Sequence, residues 1–200
     1  MPVATTLKEL TFAAALEHLD AGAAFIDLRG TDDYLDVHVP GALSLVYEFG
    51  PGMSTRARDC IPLEVPLVLL DDGVCDLNHA AASLRGKGFD VVGATTDAVN
   101  NWVANGGKAA STEVVTGTKS PGGLLLDVAD PGARPPDGIA RIPADDLWKR
   151  TAELTSTKRV TVVAGYGVRA GLAVGILERE GVSEVVFWKT RVPPSPGGTR

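Results

Sequence analysis

The chain has 200 residues, of which 44% are apolar, and it carries a formal net charge of −6. That length allows one large hydrophobic core or two small ones. The acidic balance, with a pI near 5.0, argues against a nucleic-acid-binding surface. No apolar run approaches the roughly 18 residues of a membrane span, and no basic-then-apolar leader is present, so we expect a cytoplasmic protein without membrane contact.

The first half of the chain alternates helical patterns with short apolar runs. The patterns predict helices at 11–19, 31–35, 76–84 and 97–104, strands at 24–28, 42–46, 67–70 and 89–92, and a loop at 48–60. Strands that alternate with helices at such short spacing are typical of an α/β chain with a mostly parallel sheet.

A polar, glycine-rich linker at 109–123 follows, with Val114 and Val115 as a short strand inside it. The pattern then begins again. It predicts strands at 124–127, 160–163 and 185–188, and helices at 144–154 and from Val168 onward. The proline-containing end, 192–200, is predicted to be a disordered tail.

The stretch around 160–171 predicts a strand, a sharp turn and a helix. The β-branched run 160–163 is typical of a buried strand, and the glycines that follow allow a tight loop. Backbone amides of such a loop and of the first helical turn favour an anion. The sequence therefore predicts an anion-binding loop made of Ala164, Gly165, Tyr166, Gly167, Val168 and Arg169. Arg169 either holds the anion or pairs with a carboxylate such as Asp127.

The two halves align with each other at Gly73 and Gly167, which indicates a repeat of about 90 residues. Each glycine follows an apolar strand and precedes a helix and a valine-rich strand. The loop of the first half that corresponds to the anion-binding loop consists of Leu70, Asp71, Asp72, Gly73 and Val74.

Three motifs of the first half resemble those of the rhodanese-like sulfurtransferase family. Asp27-Leu28-Arg29 resembles its Asp-x-Arg, the stretch 33–42 (DYLDVHVPGA) resembles its Glu-Tyr-x-x-Gly-His-Ile-Pro-Gly-Ala, and Trp102 with Gly106 resembles its closing Trp-x-x-x-Gly. The second half keeps Asp127 but has no arginine after it and no closing tryptophan and helix.

The resemblance implies a tandem of two rhodanese-like domains, each a small, mostly parallel sheet flanked by helices. The first spans 1–108 and the second, which is shortened, spans 124–191. In the family, the strand before the loop ends in a catalytic cysteine that carries sulfur as a persulfide. Here Ala164 and Leu70 stand at that position. The resemblance thus implies a catalytically degenerate protein with a binding or regulatory role, and with a small sulfur-containing anion or a protein as partner.

The alternative is an active sulfurtransferase that uses Cys75 as a displaced sulfur carrier. Cys75 precedes a helix, which favours a thiolate, but Asp71, Asp72 and Asp76 oppose its ionisation. His79, four residues later, could share a helix face with it. The other reading of Cys75 is an inert, buried thiol.

The remaining candidates are predicted to be structural. We expect His38 to make hydrogen bonds within a buried turn, and Asp27 and Arg29 to form an ion pair between a strand and a helix. The two cysteines, Cys60 and Cys75, are expected to be free thiols, and no zinc-type spacing occurs, so we expect no metal and no cofactor. A dinucleotide-binding site is disfavoured, because its third glycine would have to stand one residue before Gly171. A phosphatase of related loop type is disfavoured as well, because it would need a cysteine where Ala164 stands.

Overall fold

The computed structural model describes residues 6–73, 75–129, 138–154, 157–164 and 167–189. In chain order, the first half contains α1 (Phe12–Asp20), β1 (Ala24–Asp27), α2 (Thr31–Asp36), β2 (Leu43–Ser44), α3 (Gly52–Cys60), β3 (Leu67–Asp71), α4 (Leu77–Gly86), β4 (Val91–Thr96) and α5 (Ala98–Ala104). The second contains β5 (Glu113–Thr116), β6 (Leu124–Asp127), β7 (Ala140–Arg141), α6 (Ala144–Arg150), a 3-10 turn (Thr151–Glu153), β8 (Arg159–Val163), α7 (Gly167–Arg179) and β9 (Glu184–Lys189).

These strands form two parallel sheets. The first has the order β2-β1-β3-β4 and the second the order β5-β9-β8-β6-β7, and neighbouring strands are parallel in both. The predicted fold class, an α/β chain with two small, mostly parallel sheets flanked by helices, is confirmed. None of the described helices is both long enough and apolar enough to cross a membrane.

The loop predicted at 48–60 is wrong, because residues 52–60 form helix α3. Its buried side chains, Met53, Ala57 and Cys60, are spaced four and three residues apart and so form one face. That face packs against α4 and α6. The helix is polar elsewhere and contains small residues, so its stability comes from this packing and not from intrinsic propensity.

Strand β4 also differs from its prediction, since it begins at Val91 and runs to Thr96. The Ala94 amide donates to the Lys8 carbonyl at 2.8 Å, and the Leu10 amide donates to the Ala94 carbonyl at 2.7 Å. The backbone at 8–10 therefore pairs with β4 on the edge that does not face β3. A local sequence pattern does not reveal this pairing.

The short strand predicted inside the linker is confirmed as β5, and it pairs in parallel with β9 at the edge of the second sheet. The domain boundaries around 109–123 stay a prediction. The tail predicted at 192–200 lies outside the described residues.

Helix α7 connects the two halves. It contacts α2 and β2 on one side and α6, β8 and β9 on the other, and every residue from Ala170 to Leu177 is buried. Two of its glycines permit the close approach. A Cβ on Gly171 would lie 2.8 Å from Ser44 Oγ, and one on Gly175 would overlap the carbonyl oxygen of Ala42. Helix α7 can therefore lie directly against the β2 segment only because these two positions are glycine.

Candidate functional site

The predicted anion-binding loop lies between β8 and α7. Ala164 follows β8 directly and is buried, with 3% of its surface exposed. Gly165 and Tyr166 lie outside the described residues, and α7 begins at Gly167. A Cβ on Gly167 would lie 3.1 Å from Thr31 Cγ2. The start of α7 is thus packed against the start of α2, and Gly167 serves this contact between the halves.

Arg169 is half-buried in the first turn of α7 and borders a cavity of about 400 Å³ between α3, α6 and α7. Arg56, Cys60 and Asp145 line the same cavity. Asp59 does so as well, and the cavity wall therefore combines two guanidinium groups, a thiol and two carboxylates. The role of Arg169 at an anion stays a prediction.

Cys60, predicted only to be a free thiol, lies in this wall. Its side chain is buried, and its Sγ lies 3.9 Å from Asp145 Oδ1. Burial, reinforced by the charges of Asp145 and Asp59, raises the pKa of Cys60 to about 12 and outweighs the opposing effect of Arg169 and Arg56. The thiol is therefore protonated at neutral pH. The helical spacing of Met53, Ala57 and Cys60 is the sequence signal from which a buried position of Cys60 could have been predicted.

The corresponding loop of the first half is acidic. Leu70 is 2% exposed within β3, and Asp71 Oδ1 accepts a hydrogen bond from the Gly73 amide at 2.9 Å. Gly73 has a φ of 71°, which a glycine adopts without strain. Burial raises the pKa of Asp72, although Arg29 opposes the shift. Val74 lies outside the described residues. Carboxylates at this loop oppose the binding of an anion.

The expected ion pair of Asp27 and Arg29 is present. Arg29 Nη2 lies 2.6 Å from Asp27 Oδ2, and Arg29 Nε lies 3.0 Å from Asp27 Oδ1. The same guanidinium donates to the Val37 carbonyl at 2.8 Å and so joins the end of β1 to the end of α2. The hydrogen bond to Asp27 raises the pKa of Arg29.

Cys75 is a half-buried free thiol immediately before Asp76, the N-cap of α4. Burial and then the charges of Asp71, Asp76 and Asp72 raise its pKa to about 11. The helix terminus thus does not produce a thiolate here. His79 Nδ1 lies 3.1 Å from Tyr47 Oη, so the structure gives the histidine a partner other than Cys75.

Both thiols should react slowly with iodoacetamide at pH 8. A group with a pKa near 11 is ionised to about one part in a thousand at that pH, and only the thiolate reacts. Because the pKa is raised, we expect the rate at Cys75 to increase about tenfold per pH unit up to its pKa. Replacing Asp76 by asparagine, which keeps the N-cap, should accelerate alkylation of Cys75 but not of Cys60. Mass spectrometry of the digested protein measures each site, and rapid labelling of Cys75 at pH 7 would contradict the prediction.

His38 has the structural role expected of it. The ring is completely buried and stacks on Tyr34 with the two centroids 4.1 Å apart. Nδ1 lies 2.7 Å from the Tyr34 carbonyl oxygen, and Nε2 lies 3.0 Å from Glu178 Oε2 at the end of α7. The histidine therefore joins the first half to α7.

No protein-family model matches the chain, and no curated protein matches its sequence. Among solved structures, the chain is similar to a thiosulfate sulfurtransferase from Pseudomonas aeruginosa (17% identity, 94% of this chain and 44% of that chain, TM-score 0.39). It is also similar to SseA from Escherichia coli, a 3-mercaptopyruvate sulfotransferase of the rhodanese fold (15% identity, 93% of this chain and 99% of that chain, TM-score 0.42). A third similar structure is the Alr3790 protein from Anabaena sp. (21% identity, 51% of this chain and 81% of that chain, TM-score 0.43). The chain spans less than half the length of the Pseudomonas protein. At these identities the likeness concerns the general fold alone.

Proposed function

We propose that this chain is a rhodanese-like protein that has lost sulfurtransferase chemistry and acts by binding. One observation carries the proposal: Ala164, which directly follows β8 where the family has its catalytic sulfur, is buried and has only a methyl side chain. In the first half, Leu70 and Asp71 form the corresponding end of β3, because Leu70 pairs with Asp27 as Val163 pairs with Asp127. Sulfur transfer through a persulfide needs a nucleophilic sulfur at that place, and none of these three side chains has one.

The two thiols of the chain support the same proposal. Cys60 has a pKa of about 12 and lies in α3, and Cys75 has a pKa of about 11 beside three aspartates. Burial and negative charge act on both in the direction opposite to what a sulfur nucleophile requires. The alternative of an active sulfurtransferase that uses Cys75 is disfavoured on this ground.

The proposed binding role includes a residual anion-binding loop from Ala164 to Arg169. Helix α7 has 13 residues, so the amides at its start carry the partial positive charge of a full helix dipole, and Arg169 adds a guanidinium there. Thiosulfate at about 10 mM should therefore raise the melting temperature. Arg169→Gln should abolish the rise, whereas Arg58→Gln, on exposed surface of α3, should keep it. An equal rise in all three proteins would contradict a specific site.

The loss of catalysis is tested with thiosulfate and cyanide. An active thiolate would attack the outer sulfur of thiosulfate, the S–S bond would break and sulfite would leave, and cyanide would then remove the sulfur as thiocyanate. We expect no thiocyanate above the background without protein. Turnover that Cys75→Ser abolishes would establish the alternative function instead.

Restoring the missing sulfur gives a second test. If the strand, loop and helix keep the geometry of the family, Ala164→Cys should create a thiol of lowered pKa that forms a persulfide with thiosulfate. Leu70→Cys is the control, because that thiol would be buried within β3 before an acidic loop and should stay unreactive. Mass spectrometry detects the added sulfur at residue 164, and an unreactive thiol there would mean that the loop has lost the required geometry.

A further inference from the structure

Three rings form a surface cluster between β2 and α4. The Phe49 and Tyr47 centroids are 5.3 Å apart, those of Phe49 and His79 are 5.6 Å apart, and those of Tyr47 and His79 are 5.8 Å apart. Tyr47 and His79 are half-buried, but Phe49 is 81% exposed, more than the other exposed large apolar side chains that the structure describes. Phe49 is therefore held by its neighbours while its ring remains open to solvent.

A carboxylate borders this cluster. Asp76 Oδ1 accepts from the His79 backbone amide at 3.1 Å. Asp76 also lies close enough to Tyr47 to raise the pKa of Tyr47, after the larger effect of burial. The hydrogen bond from the His79 amide is to a neutral donor, so it leaves the charge of Asp76 uncompensated.

We propose that this aromatic–acidic patch, made of Tyr47, Phe49, His79 and Asp76, binds an arginine-bearing segment of a partner protein. A guanidinium can lie flat on an aromatic face while its N–H groups reach a nearby carboxylate, which is the chemistry that the patch offers. The hydrocarbon stem of an arginine would also cover the Phe49 ring, which a bare metal ion could not do. The net charge of −6 would steer a basic segment toward the protein.

The patch uses none of the residues 164–169. The proposal therefore stands or fails independently of the anion-binding loop, and thiosulfate should not compete with the partner.

The probe is a fluorescent seven-residue peptide of alternating glycine and arginine, with lysine and glutamate versions for comparison, followed by fluorescence anisotropy at low salt. We expect the arginine peptide to bind most tightly and the glutamate peptide not to bind. Phe49→Ala should weaken binding about fivefold, the size of one exposed cation–π contact. Val103→Ala is the matched control, since Val103 is a 52% exposed apolar residue of α5, and it should change nothing.

Charge is tested in the same way. Asp76→Asn keeps the helix cap and should weaken binding, whereas Glu17→Gln removes the same charge from exposed surface of α1 and should not. Equal effects of Phe49→Ala and Val103→Ala, equal effects of the two charge variants, or no binding of the arginine peptide at about 1 mM would each overturn the proposal. A dimer that forms without peptide and is lost in Phe49→Ala would assign the patch to self-association and overturn it as well.

Discussion

Replacing Gly175 by alanine is expected to lower the free energy of unfolding by about 2 kcal/mol. A Cβ at this position would overlap the Ala42 carbonyl and approach the Tyr34 hydroxyl oxygen to 3.0 Å. Both atoms are fixed, because Tyr34 Oη donates to the Ala42 carbonyl at 2.7 Å and both residues are buried. Helix α7 must therefore move away from β2. The resulting strain, about 3 kcal/mol, exceeds the gain of about 1 kcal/mol from the higher helix propensity of alanine.

Gly86 provides the control for this prediction. It is the last residue of α4, and a Cβ there would meet no atom within 4 Å apart from the backbone next to it. Gly86→Ala should therefore not lower the free energy of unfolding, and the helix propensity of alanine should raise it by up to about 1 kcal/mol. Urea denaturation followed by circular dichroism measures both variants. Equal stabilities of the two would mean that α7 does not depend on close contact with β2.

The second large effect is expected at the end of the same helix. Glu178→Ala should cost about 3 kcal/mol of unfolding free energy, because Glu178 accepts from two groups of the first half. Its carboxylate lies 3.0 Å from Nε2 of the fully buried His38, and it accepts from the Gly41 amide at 3.1 Å. The Tyr34 carbonyl can only accept, so it engages Nδ1 of His38 as a donor and cannot replace the lost partner of Nε2.

Glu180→Ala is the matched control, since this exposed glutamate lies just beyond the end of α7 and should change stability by less than about 0.5 kcal/mol. A double-mutant cycle with His38→Ala gives the sharper test. The effects at His38 and Glu178 should be strongly non-additive, because each variant removes the same interaction. Additive effects in urea denaturation would contradict a direct contribution of the pair.

Features that depend on neighbouring residues could be predicted from the sequence. The ion pair of Asp27 and Arg29 joins residues two positions apart, and the opposing effect of the aspartates on Cys75 follows from the loop composition. Most strands of the two sheets were predicted because buried parallel strands are continuous apolar runs, but the two-residue strand β7 was not.

Features that depend on distant residues could not be predicted. Helix α3 was missed because its polar sequence is stabilised by contacts with α4 and α6. The bond between His38 and Glu178 spans 140 residues, and no local pattern connects them. Phe49 looked like an ordinary loop residue until the structure placed its ring on Tyr47 and His79.

The sequence by itself determined the α/β class, the order of most strands and helices, and the hydrocarbon side chains at 70 and 164, since these follow from local periodicity and residue chemistry. The tertiary structure alone decided what the glycines of α7 do. By sequence, Gly167 belongs to the predicted anion-binding loop, but in the fold a Cβ there would press on Thr31 of the other half. A Cβ on Gly171 would likewise press on Ser44. Close packing between the two halves is a property of surfaces that meet only after folding, and so the chain could not reveal it in advance.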